Sequence, residues 1–141
     1  MPSSERRPVP KDQRLRILIA EDHPVVRKQV RMVLECYPQF EVIAEAQDGA
    51  EAIEYAMRLK PDVVVLNLNM PVLNGIDAAR EIKARIPDSA IVILSSHADK
   101  HFVNLAKQHG ACVYISKSNA GDGLAKAVEA AVLGEEFVLV D

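Results

Sequence analysis

Several chemically active side chains follow short apolar runs in this sequence. They are Glu21, Asp22, Asn67, Ser95 and Lys117. Two adjacent carboxylates repel each other unless a cation lies between them, and Mg²⁺ prefers carboxylates, a carbonyl and retained waters as ligands. A lysine and a hydroxyl suit the oxygens of a phosphoryl group. The residue types therefore indicate a Mg²⁺-dependent phosphoryl site, but residue 67 offers an amide where such a site needs a carboxylate nucleophile.

The apolar pattern predicts the elements that would bring these positions together. Short apolar or alternating runs predict strands at 15–20, 40–46, 62–67, 90–96 and 112–116. Helical spacing predicts helices at 24–37, 48–60, 75–86, 99–110 and 119–134. Strict alternation indicates a doubly wound α/β fold, a parallel sheet with helices on both faces. Ligands of such sheets bind outside the carboxyl ends of the strands, so the polar residues should converge on one rim.

Length and composition limit the class of protein. The chain has 141 residues, 49% hydrophobic and 26% charged, as expected of a single globular domain. A net charge of −3 gives the chain no overall electrostatic attraction for nucleic acid or an anionic membrane. No apolar run is long enough to span a bilayer. We therefore expect neither direct nucleic-acid binding nor membrane insertion.

The N-terminus and the cysteines indicate the cellular compartment of the protein. Residues 1–14 are rich in proline and charge and have no apolar core, which predicts a flexible tail rather than a secretory signal. Cys36 and Cys112 fit no metal spacing, and without a signal they are expected to be reduced thiols. A cytoplasmic location follows as the expectation.

Four segments of the chain resemble those of a known family. They are "ILIAEDHP", "PDVVVLNLNMPVLNG", "IVILSS" and "VYISKS". They look like the conserved segments of response regulator receiver domains, the CheY-like modules of two-component signalling, and the resemblance runs from about residue 15 to 134. It implies a flavodoxin-like, five-stranded sheet in the order 2-1-3-4-5. It also implies phosphorelay signalling rather than enzymatic activity, with a sensor histidine kinase or phosphotransfer protein as partner.

The subfamily is indicated by two further segments. "EDHPVVR" and the stretch before the last apolar run are similar to the NarL/FixJ type of regulator. Those proteins usually continue through a linker into a helix-turn-helix output domain that regulates transcription. No helix-turn-helix is recognised in this chain, so residues 135–141 are interpreted as the start of a linker or an extra edge segment.

The resemblance assigns residues to a metal and phosphoryl site. Glu21 and Asp22 match the acidic pair that binds Mg²⁺, and Asn69 would add its backbone carbonyl. Asn67 stands where the family has its phospho-accepting aspartate, and it completes the implied metal-ligand set of Glu21, Asp22, Asn67 and Asn69. A neutral carboxamide is a poor nucleophile and brings no charge to the metal, so phosphorylation should not occur and Mg²⁺ affinity should fall. The sequence leaves open an engineered substitution or a natural degenerate receiver, and deamidation is less favoured before a leucine.

Three further residues would form the switch. By resemblance, Ser95 is the hydroxyl that turns toward the phosphoryl group, and Tyr114 is the aromatic whose rotamer reports the switch. Lys117 is the lysine that pairs with the phosphate. Ser118 replaces a proline that is common in the family, which is a mild departure.

Simpler interpretations accompany each of these features. Asp22 could be only a cap for the first helix, and Tyr114 only a half-buried strand residue. His97 and His101 have the spacing of zinc ligands, but no third ligand is evident, so an exposed helix start is favoured.

Two other functions compete with a blocked receiver. One is a phosphorylation-independent pseudo-receiver for protein interaction or homodimerisation, in which 135–141 serves as linker, edge strand or dimer contact. The other is a flavin or nucleotide enzyme on the same fold. It is disfavoured because acids follow the first strand, where a phosphate cradle needs backbone amides.

Overall fold

Helices and strands alternate through the chain. The computed structural model describes residues 14–96, 100–109, 113–117, 121–135 and 137–139. The strands are β1 (Leu15–Ala20), β2 (Phe40–Ala46), β3 (Val63–Asn67), β4 (Ala90–Ser95), β5 (Val113–Ser116) and β6 (Phe137–Leu139). The helices are α1 (Pro24–Glu35), α2 (Gly49–Leu59), α3 (Gly75–Arg85), α4 (Lys100–Gln108) and α5 (Asp122–Val132). Four features of the sequence lie outside the described residues: 1–13 of the tail, His97, Cys112 and Ser118.

The described strands form one parallel sheet in the order β2-β1-β3-β4-β5-β6. The predicted five-strand order, 2-1-3-4-5, and the five helices are confirmed. The chain adds β6, which pairs with β5 so that Val138 lies opposite Tyr114. Because all of these strands run in one direction, their carboxyl ends meet at the same edge, which we call the rim.

The core lies on both faces of the sheet. Side chains alternate along each strand, so Ile17 and Ile19 of β1 pack with α1 and α5, whereas Leu18 and Ala20 pack with α2, α3 and α4. Every residue of β3 and β4 is buried. Burial on both faces explains why these strands are apolar runs rather than alternating patterns. Within the described ranges, no helix combines the length and apolar character needed to cross a bilayer.

Helix caps fix the turns that enter the helices from the rim. The first helix is capped by His23, whose Nδ1 accepts from the backbone N–H of Val26 at 3.5 Å, so the interpretation of Asp22 as that cap is wrong. Asp48 caps α2, and its side chain accepts from the backbone N–H of Glu51 at 2.8 Å. The Glu51 carboxylate reaches back to the N–H of residue 47, one position before the usual capping-box partner.

Gly75 fixes the start of α3 against the end of β3. A Cβ at this position would lie 2.3 Å from the Asn67 carbonyl oxygen, and the Gly75 N–H donates to the carbonyl of Leu68 at 2.8 Å. Only a glycine allows this close approach of two backbone segments. The helix therefore starts directly beside residue 67.

Replacing Gly75 with alanine is expected to lower the free energy of unfolding by about 1–3 kcal/mol, because the added methyl group meets backbone that cannot rotate away. Urea unfolding would measure the loss. Gly121→Ala is the matched control, since a Cβ there meets no atom within 4 Å. Equal urea midpoints for the two variants would contradict the close contact at Gly75.

Candidate functional site

The acidic turn after β1 is held in place by α1. Glu21 is 2% exposed, and its backbone carbonyl accepts from Nη1 of Arg27 at 2.8 Å. The same arginine donates through Nε to Glu45 of β2 at 3.1 Å. The backbone N–H of His23 donates to Oε2 of Glu21 at 3.1 Å. These contacts fix the buried carboxylate of Glu21 at the rim, whereas the next acid, Asp22, is exposed.

Asn67 lies at the rim end of β3 and is 6% exposed. Its amide nitrogen Nδ2 lies 2.7 Å from the backbone oxygen of Asn69, 3.0 Å from Oδ1 of Asp22 and 3.1 Å from Oε2 of Glu21. The opposite amide orientation would place an oxygen against three acceptors, so the surroundings fix the nitrogen on this side. Two amide hydrogens are thus shared among three oxygen atoms.

Lys117 joins the end of β5 to this cluster. Its Nζ lies 3.1 Å from Oε1 of Glu21, and the lysine side chain keeps 28% exposure. The two oxygens of Glu21 therefore have different partners, with Lys117 on one and Asn67 and the backbone of His23 on the other. One buried carboxylate ties together the ends of β1, β3 and β5.

Ser95 and Tyr114 lie close to the rim in the interior. Ser95 is buried at the end of β4, one residue beyond Leu94, which pairs with Asn67. Tyr114 is 2% exposed and packs in the core cluster that contains Ala106 of α4. Tyr114 is a strand residue of β5, as that interpretation expects, but it is fully buried rather than half-buried. The switch roles of Ser95 and Tyr114 stay predictions.

Of the four residues predicted as metal ligands, Glu21, Asp22 and Asn69 place oxygen atoms around the fourth, Asn67, and the ligand role of these residues stays a prediction. Oxygen atoms of Glu21, Asp22 and Asn69 converge as ligands of Mg²⁺ would. Their common neighbour is the nitrogen of Asn67, and Mg²⁺ needs its oxygens at about 2.0–2.1 Å. An ion and this nitrogen cannot occupy the same space, so the arrangement does not fit a bound cation. Among the described residues, no group of three or more His, Cys, Asp or Glu could hold a metal.

The arginine cluster that supports the site was missed from the sequence. Arg27 and Arg31 stand one helical turn apart on α1, and both contact Glu45 on the neighbouring strand β2. Hydrogen bonds to Glu45 and then to Glu35 raise the pKa of the Arg31 guanidinium above its usual value. The signal was present as two arginines at i and i+4 beside a strand with one polar face.

The fold and the rim together have the architecture of a receiver module. The sheet is flavodoxin-like, and its rim carries acids, a buried strand-end residue and a lysine. The chain belongs to the response regulator receiver domain family, whose model matches residues 17–129. It is 34% identical over 127 residues to the transcriptional regulatory protein DegU of Brevibacillus brevis, covering 90% of this chain and 54% of that protein. It is 36% identical over 121 residues to LiaR of Bacillus subtilis, covering 86% and 57%. The chain thus spans little more than half the length of these relatives.

Solved structures agree with this assignment. A two-component response regulator of the LuxR family from Aurantimonas sp. superposes with a TM-score of 0.84 at 35% identity, covering 88% of this chain and 89% of that one. The isolated receiver domain of RcsB from Salmonella enterica, determined with the phosphomimetic BeF3⁻, gives 0.80 at 26% identity, covering 89% and 93%. The predicted receiver family and the likeness to NarL/LuxR-type regulators are confirmed. Receiver domains typically bind Mg²⁺ at an acidic phospho-acceptor site and interact with histidine kinases or phosphotransfer proteins.

Proposed function

We propose that this chain is a two-component receiver whose phospho-accepting position is silenced by Asn67. The observation that carries the proposal is the buried Asn67 amide, at the end of β3, donating to Glu21 and Asp22. Phosphorylation of a receiver needs a carboxylate oxygen that attacks phosphorus and forms an acyl phosphate. The side-chain oxygen of an amide is neutral and weakly nucleophilic, so this step is not available at residue 67. The role is signalling through conformation and contact rather than catalysis.

The partner on the input side would be a sensor histidine kinase or phosphotransfer protein in the cytoplasm. Docking of such a partner uses the helical surface of the domain and does not need a carboxylate at residue 67. Without phosphorylation, the resting arrangement of α4, β5 and α5 would dominate, with Ser95 and Tyr114 as its switch residues. The relatives named above are transcriptional regulators, and we assign this chain to the receiver part of such a regulator, with the output domain outside it.

A second candidate is a phosphorylation-independent module for protein interaction or homodimerisation. The observation in its favour is that residues of the rim itself pair with its buried carboxylate, through a hydrogen bond on one oxygen and an ion pair on the other. Asn67 and Lys117 together provide partners for both oxygens of Glu21. A rim of this kind needs no phosphoryl group to hold its strand ends together. The folded unit would then run from residue 15 through β6.

Intact-mass measurement after incubation with Mg²⁺ and acetyl phosphate tests the proposal. We expect Asn67→Asp to gain the mass of one phosphoryl group, which hydroxylamine removes as it does from an acyl phosphate, and the parent protein to gain none. The matched control is Asn104→Asp, the same chemical change on an exposed position of α4.

The outcomes separate the candidates. Phosphorylation of Asn67→Asp alone supports a receiver that is complete except for its acceptor. A phosphoryl group on the parent protein overturns the silencing. No gain for either protein means that the remaining rim is also inactive, and the interaction module becomes the better description.

A further inference from the structure

The acidic group at the rim already contains a hydrogen-bond donor for its oxygens, the side-chain amide of Asn67. Two carboxylate oxygens from the turn after β1 and one backbone oxygen from the loop after β3 surround Nδ2 of Asn67 at 2.7–3.1 Å. Negatively charged oxygens at such short distances repel one another unless a positive group lies among them. The amide nitrogen and its two hydrogens are the positive end of the Asn67 dipole, and they lie among these three oxygens.

The buried charge of the cluster is also paired without a metal ion. Lys117 neutralises Glu21, which is buried, at 3.1 Å. Asp22 is exposed, so water hydrates its charge. Hydrogen bonds from an amide N–H to carboxylates are charge-assisted and are stronger than neutral ones. No buried carboxylate in the cluster is therefore left without a donor or a cation.

We propose that the Asn67 amide takes the place of the divalent cation, so that the rim is assembled permanently and independently of metal. The inference rests on the proposed function, in which residue 67 is the silenced acceptor position. Cation binding would require Nδ2 to leave all three oxygens, because ion and nitrogen compete for the same space. The receiver would then be insensitive to Mg²⁺ as well as to phosphodonors, and its rim would hold β1, β3 and β5 in one arrangement.

Thermal unfolding in millimolar MgCl₂ and in EDTA tests the inference, with Mg²⁺ alone as the probe and isothermal titration as a second readout. A ligand that binds only the folded state raises the melting temperature. We expect no shift and no binding heat for the parent protein. Asn67→Ala removes the amide, keeps the other oxygens and cannot be phosphorylated. It is expected to gain a Mg²⁺-dependent rise in melting temperature, and Asn67→Asp a larger one.

Each outcome bears on the inference. A Mg²⁺ shift or binding heat for the parent protein overturns it. The absence of any shift in both variants overturns it too, because the amide would then not be what excludes the ion. Where Asn67→Ala does not fold, Asn67→Asp carries the comparison. A parent protein that binds Mg²⁺ but gains no phosphoryl group refutes this inference alone and leaves the silenced acceptor standing.

Discussion

Replacing Lys117 with methionine is expected to lower the free energy of unfolding by about 2–3 kcal/mol. The change keeps an unbranched side chain, one heavy atom shorter, and removes its charge, so the carboxylate of Glu21, which is 2% exposed, loses its cation. A carboxylate left buried without its partner costs more than the ion pair itself contributes. Lys117 keeps 28% exposure, so the effect should fall below that of a fully buried pair. Urea unfolding followed by circular dichroism measures it.

The control for Lys117 is an exposed lysine on the next helix. Lys126→Met in α5 should stay within about 0.5 kcal/mol of the parent, because that side chain is exposed. Adding Glu21→Gln to Lys117→Met should recover part of the loss, since the unpaired charge is then removed as well. A double-mutant cycle gives the coupling between the two residues. Equal urea midpoints for Lys117→Met and Lys126→Met would show that the ion pair contributes nothing.

Replacing Leu66 with alanine is expected to lower the free energy of unfolding by about 3–4 kcal/mol. Leu66 is fully buried in β3, the residue before Asn67, and it pairs with Ala20 on one side and Ile93 on the other. Its truncation removes apolar contacts and leaves a cavity that a central strand cannot collapse to fill. The shift of the urea midpoint at an unchanged slope would measure the loss.

Leu133 provides the matched control for Leu66, because it is 72% exposed just after α5. Leu133→Ala should change the free energy of unfolding by no more than about 0.5 kcal/mol. A loss at Leu133 comparable to that at Leu66 would mean that the exposed leucine has a partner, and the assignment of the core to the two faces of the sheet would need revision.

The elements could be predicted closely because burial shapes their sequences. The limits of β1 and β2 match the predicted strands 15–20 and 40–46, since each apolar run stops where the chain leaves the core. Most helix limits differ by one to three residues, as for α5, which begins at Asp122 rather than 119. Helix ends depend on caps and contacts that apolar spacing does not record. The sequence leaves the pairing of β6 with β5 open, because a short apolar segment is equally compatible with a linker.

The rim could be predicted as a set of residues but not as a set of contacts. Parallel strands bring Glu21, Asn67 and Lys117 to one edge, and this follows from topology alone. The pairing of Lys117 with Glu21 depends on side-chain directions that no sequence pattern fixes. The position of the Asn69 oxygen depends on the loop that follows, where Val72 has φ 69° in a tight turn closed by the Leu73 N–H on the carbonyl of Pro71 at 2.7 Å.

The contact between Gly75 and Asn67 bears on an exchange of asparagine for aspartate at residue 67. The backbone of residue 67 is held by its pairing in the sheet and by a helix start that leaves no room for movement. An exchange of asparagine for aspartate keeps the shape of the side chain, but it replaces the nitrogen with an oxygen among three other oxygens, so it would require a cation between them. The two amino acids are also neighbours in the genetic code, separated by a single base. A single-base exchange would therefore place an acid at residue 67 on a backbone that the sheet and the start of α3 already hold in position.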